Sequence, residues 1–170
     1  MPTEILTKSG TPIVWNNAVT NYGLEMAGMV ANTGVQGAKG DLGATRAREF
    51  DVDLVVQTAT APTAGGTYDL YWSPSVFSTA NSGNPGGCTG ASGNYSGQGV
   101  DSITNSVKQL SFIGALTVTN NPNARQSQHF VFAPSSRYGS PVVINKTDQT
   151  NNASVIEHQL KLTPIIYESQ

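Results

Sequence analysis

The sequence predicts an all-β protein: a single jelly-roll-like antiparallel β-sandwich of about eight strands. Residues 1–21 read as an N-terminal arm, residues 22–170 as the sandwich domain, and residues 73–105 as a long Gly/Ser/Asn-rich loop inserted in it. Three observations predict this. Apolar residues recur with period two in short runs, the runs are bounded by Gly, Pro and Asn turns, and no segment reads as a helix of ordinary length. No internal repeat is visible, which favours a jelly roll over a propeller.

From the N-terminus, the short apolar run Pro12-Ile13-Val14-Trp15 is either a first strand or part of an arm lying on a neighbour. Tyr22 to Ala31 carries Leu24, Met26 and Met29, but Gly23 and Gly28 argue for an irregular strand rather than a helix. Glycine then recurs at Gly34, Gly37, Gly40 and Gly43. That spacing is collagen-like, since only Gly fits at a triple-helix axis. The stretch contains no proline and is short, so a glycine-rich loop leading into a strand is the favoured reading. Without a Gly-Lys-Ser/Thr and a following helix it is no P-loop either.

Arg46 to Thr60 is the clearest amphipathic strand, with Phe50, Val52, Leu54 and Val56 on one face. Asp51 and Asp53 share the other, about 7 Å apart at a rise of about 3.4 Å per residue. Such a pair has the chemistry for Ca²⁺ or general acid–base work, but with no third ligand in view a solvated face paired with Arg46 or Arg48 is preferred. After the turn at residues 61–66, Thr67 to Ser73 should return beside that strand, with Tyr68, Leu70 and Trp72 on one face and Leu70 and Trp72 read as core. The alternative is a sugar-stacking platform involving Tyr68, Tyr71, Trp72 and Tyr95. In the loop that follows, only Val76, Phe77, Tyr95 and Val100 offer apolar anchors, and it reads as a surface lobe or an inter-subunit contact. Lys108 to Thr119 resumes the β pattern with Leu110, Phe112, Leu116 and Val118 in a row, and Gly114 marks a bulge or a close approach.

Three strands close the chain: Gln126 to Pro134, Ser140 to Thr147 and Val155 to Tyr167. In the first, Phe130 and Phe132 oppose His129 and Val131. The second is apolar on both faces. The third carries Ile156, His158, Leu160, Leu162, Pro164 and Ile166 in one row, and Pro164, which cannot donate to a ladder, signals an edge or a bulge. The run from Arg137 to Thr147, followed by Glu157-His158-Gln159-Leu160-Lys161-Leu162-Thr163-Pro164-Ile165-Ile166 and a short acidic tail, resembles the C-terminal signature of a family of small tailed-phage virion proteins. The strand pair from Phe50 to Ser73 and the variable loop after it fit the same family. The resemblance implies a jelly-roll structural protein of the virion, foremost a trimeric capsid decoration (cement) protein with the major capsid protein and itself as partners. It implies no catalytic residues. A tail or head-fibre component that binds carbohydrate or a receptor is the alternative.

Composition bears on the same question. The length suits one domain, burying about 70% of the surface its unfolded chain exposes. Only 12% of residues are charged, against about 25% in an average soluble domain. Neutral polar surface desolvates more cheaply than charged surface and suits contact with other subunits, although a weakly charged monomer has the same composition. A net charge of −2 with scattered basic residues argues against direct nucleic-acid binding. Met1 to Gly10 has no signal-peptide core and no stretch suits a membrane span, so synthesis in a host cytosol is expected; residence in the virion is what the resemblance implies. Cys88 stands alone, without metal-site spacing or a nearby base. His129 and His158 are candidate metal ligands if their strands are adjacent, with isolated polar positions the preferred reading. No nucleophile elbow or His-Glu-x-x-His motif occurs, so no catalytic, cofactor-binding or metal residue is assigned and no enzyme activity is expected.

Overall fold

The computed structural model describes residues 5–17, 22–44, 47–100 and 102–169. Within them the strands are β1 (Ile5–Ser9), β2 (Ile13–Asn16), β3 (Tyr22–Gly23), β4 (Gly34–Gln36), β5 (Gly40–Asp41), β6 (Glu49–Gln57), β7 (Thr67–Ser75), β8 (Gly93–Tyr95), β9 (Ser111–Thr117), β10 (Arg125–Phe132), β11 (Tyr138–Asn145) and β12 (Gln159–Ser169). A single helical turn, α1 (Ile103–Ser106), runs into a 3₁₀ turn at Val107–Gln109. Ser102 caps α1, its hydroxyl accepting from the Asn105 backbone N–H.

Two sheets pack face to face. Sheet A has the order β10-β6-β12-β2-β3 with β1 also on β12, and sheet B has the order β8-β4-β11-β7-β9 with β5 also on β11. Take β2, β4, β6, β7, β9, β10, β11 and β12 as the principal strands. The first, eighth, third and sixth then form one sheet, and the second, seventh, fourth and fifth the other, which is jelly-roll connectivity. The pairings among these eight are antiparallel. The chain therefore crosses repeatedly from one sheet to the other. Thr67–Ser75 does not return beside Glu49–Gln57, as the sequence suggested, but crosses the sandwich and faces it through the core.

The alternation read from the sequence sets that core. Phe50, Val52, Leu54 and Val56 from β6 are fully buried against Tyr68, Leu70 and Trp72 from β7, with Leu160 and Leu162 from β12 beside them. Trp15 belongs to the same core, stacked on Tyr22 with ring centroids 5.2 Å apart and edge-on to Trp72 at 5.8 Å. Its indole N–H donates to the Ala38 carbonyl at 2.7 Å. This explains Gly37 and Gly40 of the glycine run. A Cβ on Gly40 would come within 2.3 Å of the Trp15 ring and one on Gly37 within 2.9 Å, so the glycines let the β4–β5 backbone pass over the indole. They form no collagen-like stalk.

Three further expectations need correction. Over its described part the arm at residues 1–21 is integral to sheet A: β1 and β2 run one after the other along β12, and Trp15 is a core residue. From Gln159 to Ile165 the Val155 to Tyr167 strand is not an edge, because β12 there has β6 on one side and β2 and then β1 on the other, and Val155 to Glu157 precede it in a turn. Pro164 sits opposite the irregular step at residues 10–12 between β1 and β2, and its carbonyl accepts from the Gly10 N–H at 2.8 Å, so a bulge lies at Pro164 itself, and an edge begins just beyond it, where β6 has ended. In β9 the pairing with β7 slips between Leu70 and Tyr71. That bulge turns Phe112 out of the apolar row and onto the outer face, where it is 57% exposed. Gly114 is at once beside this bulge and at a close approach, since a Cβ there would meet the Phe130 ring at 2.2 Å.

Candidate functional site

The two outer faces of the sandwich differ, and the difference locates the surface left for other molecules. Sheet B is covered by its own chain. The 73–105 loop, continued through α1 and the 3₁₀ turn, lies over the outer face of β7 and β11 and builds a second small core from Tyr71, Cys88, Tyr95, Val107, Leu110, Val142 and Ile144. The Tyr95 hydroxyl donates to the Gly86 carbonyl at 2.5 Å. Lys39 fixes the loop's first turns: its ammonium, nearly buried, donates to Ser75 Oγ at 3.0 Å and to the carbonyls of Thr79 and Ser82, each at 2.6 Å. Desolvation holds the Lys39 pKa below its ordinary value. Of the anchors named from sequence only Tyr95 serves, while Val76, Phe77 and Val100 are exposed.

This burial removes the proposed sugar platform. Tyr68 and Trp72 are fully buried, Tyr95 is 2% and Tyr71 9% exposed. Burial raises the Tyr68 and Tyr95 hydroxyls to about 12. Cys88 is buried too, and desolvation pushes its thiol up, away from the reactive thiolate.

Sheet A's outer face has no such cover among the described residues. Registered across β10, β6 and β12 is a polar row: His129 opposite Asp53, and Asp53 opposite Lys161. His129 Nδ1 lies 3.3 Å from Asp51 and Nε2 3.6 Å from Asp53, whose second oxygen is 3.5 Å from Lys161 Nζ. Asp51 and Asp53 are thus a paired strand face, as preferred from sequence, and among the described residues their partners come from β10 and β12 rather than from Arg48. Arg46 lies outside the described residues. Among the described residues no group of three or more His, Cys, Asp or Glu side chains is arranged to hold a metal.

The histidines do not meet. Both flank β6, one from each side, and they differ in burial: His129 is exposed on the outer face, while His158 is buried. His158 accepts from the Gln57 N–H at Nδ1 (3.4 Å) and its Nε2 lies 2.8 Å from the Asn152 carbonyl, which fixes the proton on Nε2. Desolvation lowers its pKa.

At one end sheet A narrows to a ribbon. Pairing of β12 with β6 stops at Ile165, whereas pairing with β1 continues to Ser169. Beyond Ile165, β12 therefore has only β1 beside it, and β1 has a partner on one side only, among the described residues. Leu6 and Ile166, each 39% exposed, and Tyr167, 49% exposed, are its apolar side chains. The Tyr167 hydroxyl donates to Glu49, and that bond raises its pKa. Grooves flank the ribbon. One, of about 540 Å³, runs past Leu42, Ala47, Arg48 and Ile166; the other, of about 390 Å³, past Lys8, Glu49, Val131 and Tyr167. A free strand edge with exposed apolar side chains is a template for pairing with another chain. The opposite side of the sandwich is protected: Gln126 and Gln128 on β10 use their amide oxygens to accept from the backbone N–H groups of Thr119 and Thr117 at 2.6 and 3.3 Å, occupying donors along the β9 edge.

The sequence named the Pro164 end of the last strand as an edge or a bulge and residues 1–21 as an arm, but not the pairing of β1 with β12 that makes the ribbon, because its signal is a mismatch between strand lengths rather than a motif. Searches against models of protein families and against curated proteins gave no match to the chain.

Proposed function

We propose that the protein is a virion structural component, a capsid decoration protein that attaches to the outer shell as a homotrimer. The observation that carries this reading is the contrast between an outer face covered by the protein's own loop and one left bare, continuous with a ribbon whose edge is unpaired among the described residues and whose apolar side chains are partly exposed. The low charge of the sequence and the resemblance of residues 137–147 and 157–166 to small phage virion proteins support it. Attachment works by shape, strand pairing and neutral hydrogen bonding, with no catalytic step. A protein that binds the assembled shell more tightly than free capsomers stabilises the particle by mass action.

The test is the copy number and position of the chain in purified particles, by quantitative mass spectrometry with cryo-electron microscopy. Hundreds of copies on the shell lattice are expected. A few copies at the tail would make it a tail or head-fibre component instead, and absence from particles would end the virion reading. A deletion of residues 1–9 removes β1 while keeping Trp15 in the core, and should abolish attachment without unfolding the sandwich.

A further inference from the structure

We propose that the cleft between α1 with its 3₁₀ turn and the outer face of sheet B binds a single acidic sugar ring, its carboxylate held by Lys108. The cleft has a volume of about 240 Å³, below the ~300–1,000 Å³ of pockets for drug-sized ligands and suited to one ring-sized group. Ile144 and Tyr71 form its floor, Ile103 and Val107 its wall, and Lys108 and Lys146 stand at its rim. None of its described lining residues is acidic.

The two ammonium groups are not equivalent. Lys146 is committed, 2.6 Å from Asp69 Oδ2. Asp69 is itself buried and accepts from the Tyr71 hydroxyl at 3.3 Å and the Thr67 hydroxyl at 2.9 Å, so Lys146 and Tyr71 are fixed from behind. Lys108 is different. Lys8, Arg125, Arg137, Lys146 and Lys161 each lie within ion-pair distance of a carboxylate, whereas Lys108 donates to a neutral oxygen, Asn105 Oδ1 at 3.1 Å. In a chain with so few charges, a cation that has an amide partner and lines an apolar cleft suits a ligand bringing one negative charge and an apolar face. A charge-assisted hydrogen bond between two ions is stronger than the one to a neutral amide that it replaces.

The apolar face has a counterpart as well. Phe112, turned outward by the β9 bulge, is 57% exposed and packs on Tyr71 with ring centroids 5.2 Å apart. Phe112 does not line the cleft itself but adjoins it through Tyr71, and the C–H face of the bound pyranose would lie on its exposed ring, removing apolar area from water. A carboxylate-bearing sugar satisfies both features. A neutral sugar would leave Lys108 as it is, and inorganic phosphate would leave Phe112 bare.

The experiment is an amide chemical-shift titration of the full chain with D-glucuronate, D-glucose and inorganic phosphate. Glucuronate is expected to shift signals at residues 103–108, 112 and 144–146, with little response to the other two. Lys108→Gln, at an exposed helical-turn position, should weaken glucuronate about tenfold or more, in line with loss of a charged hydrogen bond. Phe112→Ala should weaken it less. The proposal is overturned if glucuronate leaves these signals unmoved, if glucose or phosphate shifts them equally, or if Lys108→Gln binds as the native chain does.

Discussion

The outer faces of sheets A and B are built from strands of similar length, yet one is dry and the other is wet. On sheet B, β7 and β11 are apolar on both sides: Leu70 and Val143 face the main core, while Tyr71, Val142 and Ile144 face the lobe. On sheet A, β6 alternates along most of its length, so Asp51 and Asp53 lie on the outer face with His129 and Lys161 as partners. The comparison teaches that a jelly roll needs only one core between its sheets, and that what each outer face carries tells whether the chain itself or something else is to cover it.

Perturbing each layer in turn separates these roles. The largest effect belongs to the shared core. Trp72→Ala removes a fully buried ring and should cost about 3–5 kcal/mol of global stability, measured as a fall in denaturant midpoint that carries both faces with it. Next is the lobe. Lys39→Met leaves the Thr79 and Ser82 carbonyls without their buried donor and should cost about 1–3 kcal/mol. The loss should be local: amide hydrogen exchange should accelerate through residues 76–90 while β6 and β12 keep their protection. Equal acceleration in both sheets would show that the lobe is not a separate layer.

A smaller effect is tied to pH. Burial depresses the pKa of folded His158 below its ordinary value of 6.5, so between the two values the unfolded chain holds a proton that the native one does not. Stability therefore falls as pH drops below about 6.5 and levels off beneath the folded pKa. His158→Gln should flatten that part of the melting-temperature profile. An unchanged slope would assign it to other groups. Least of all should matter the wet face: His129→Gln breaks exposed contacts to Asp51 and Asp53 and should change stability by about 0.5 kcal/mol or less.

Much of the fold was legible in the sequence, for reasons these faces make clear. Phe50 to Val56 is a long period-two strand whose buried side alternation alone assigns, and in Tyr68 to Trp72 alternation assigns the side that faces the main core. The double-sided apolar run at residues 141–145 announced a strand covered twice. Which sheet each strand joins was not legible, since β6 and β7 are joined by a turn yet lie in different sheets, and connectivity leaves no local mark. The lobe's anchors were obscured because Leu110 reads as the start of the strand from Lys108 and Val107 stands just before it, whereas both close the second core. Phe112 reads as part of the apolar row because a one-residue bulge, invisible in composition, changes which face it takes. Buried polar hubs were missed for a similar reason. Asn145 is fully buried; its amide donates to the Gln149 carbonyl at 2.9 Å and its side-chain oxygen accepts from the Thr147 N–H at 2.9 Å, yet in sequence it looks like any other asparagine of an Asn-rich chain.

The most direct measurement of the central claim is a hydrogen–deuterium exchange footprint of the protein free and bound to purified particles. Protection gained at residues 5–9, 125–131 and 165–169, with the lobe at residues 76–100 unchanged, is the expected result. Protection confined to the lobe, with the ribbon and the outer face of sheet A exchanging as in the free protein, would contradict it.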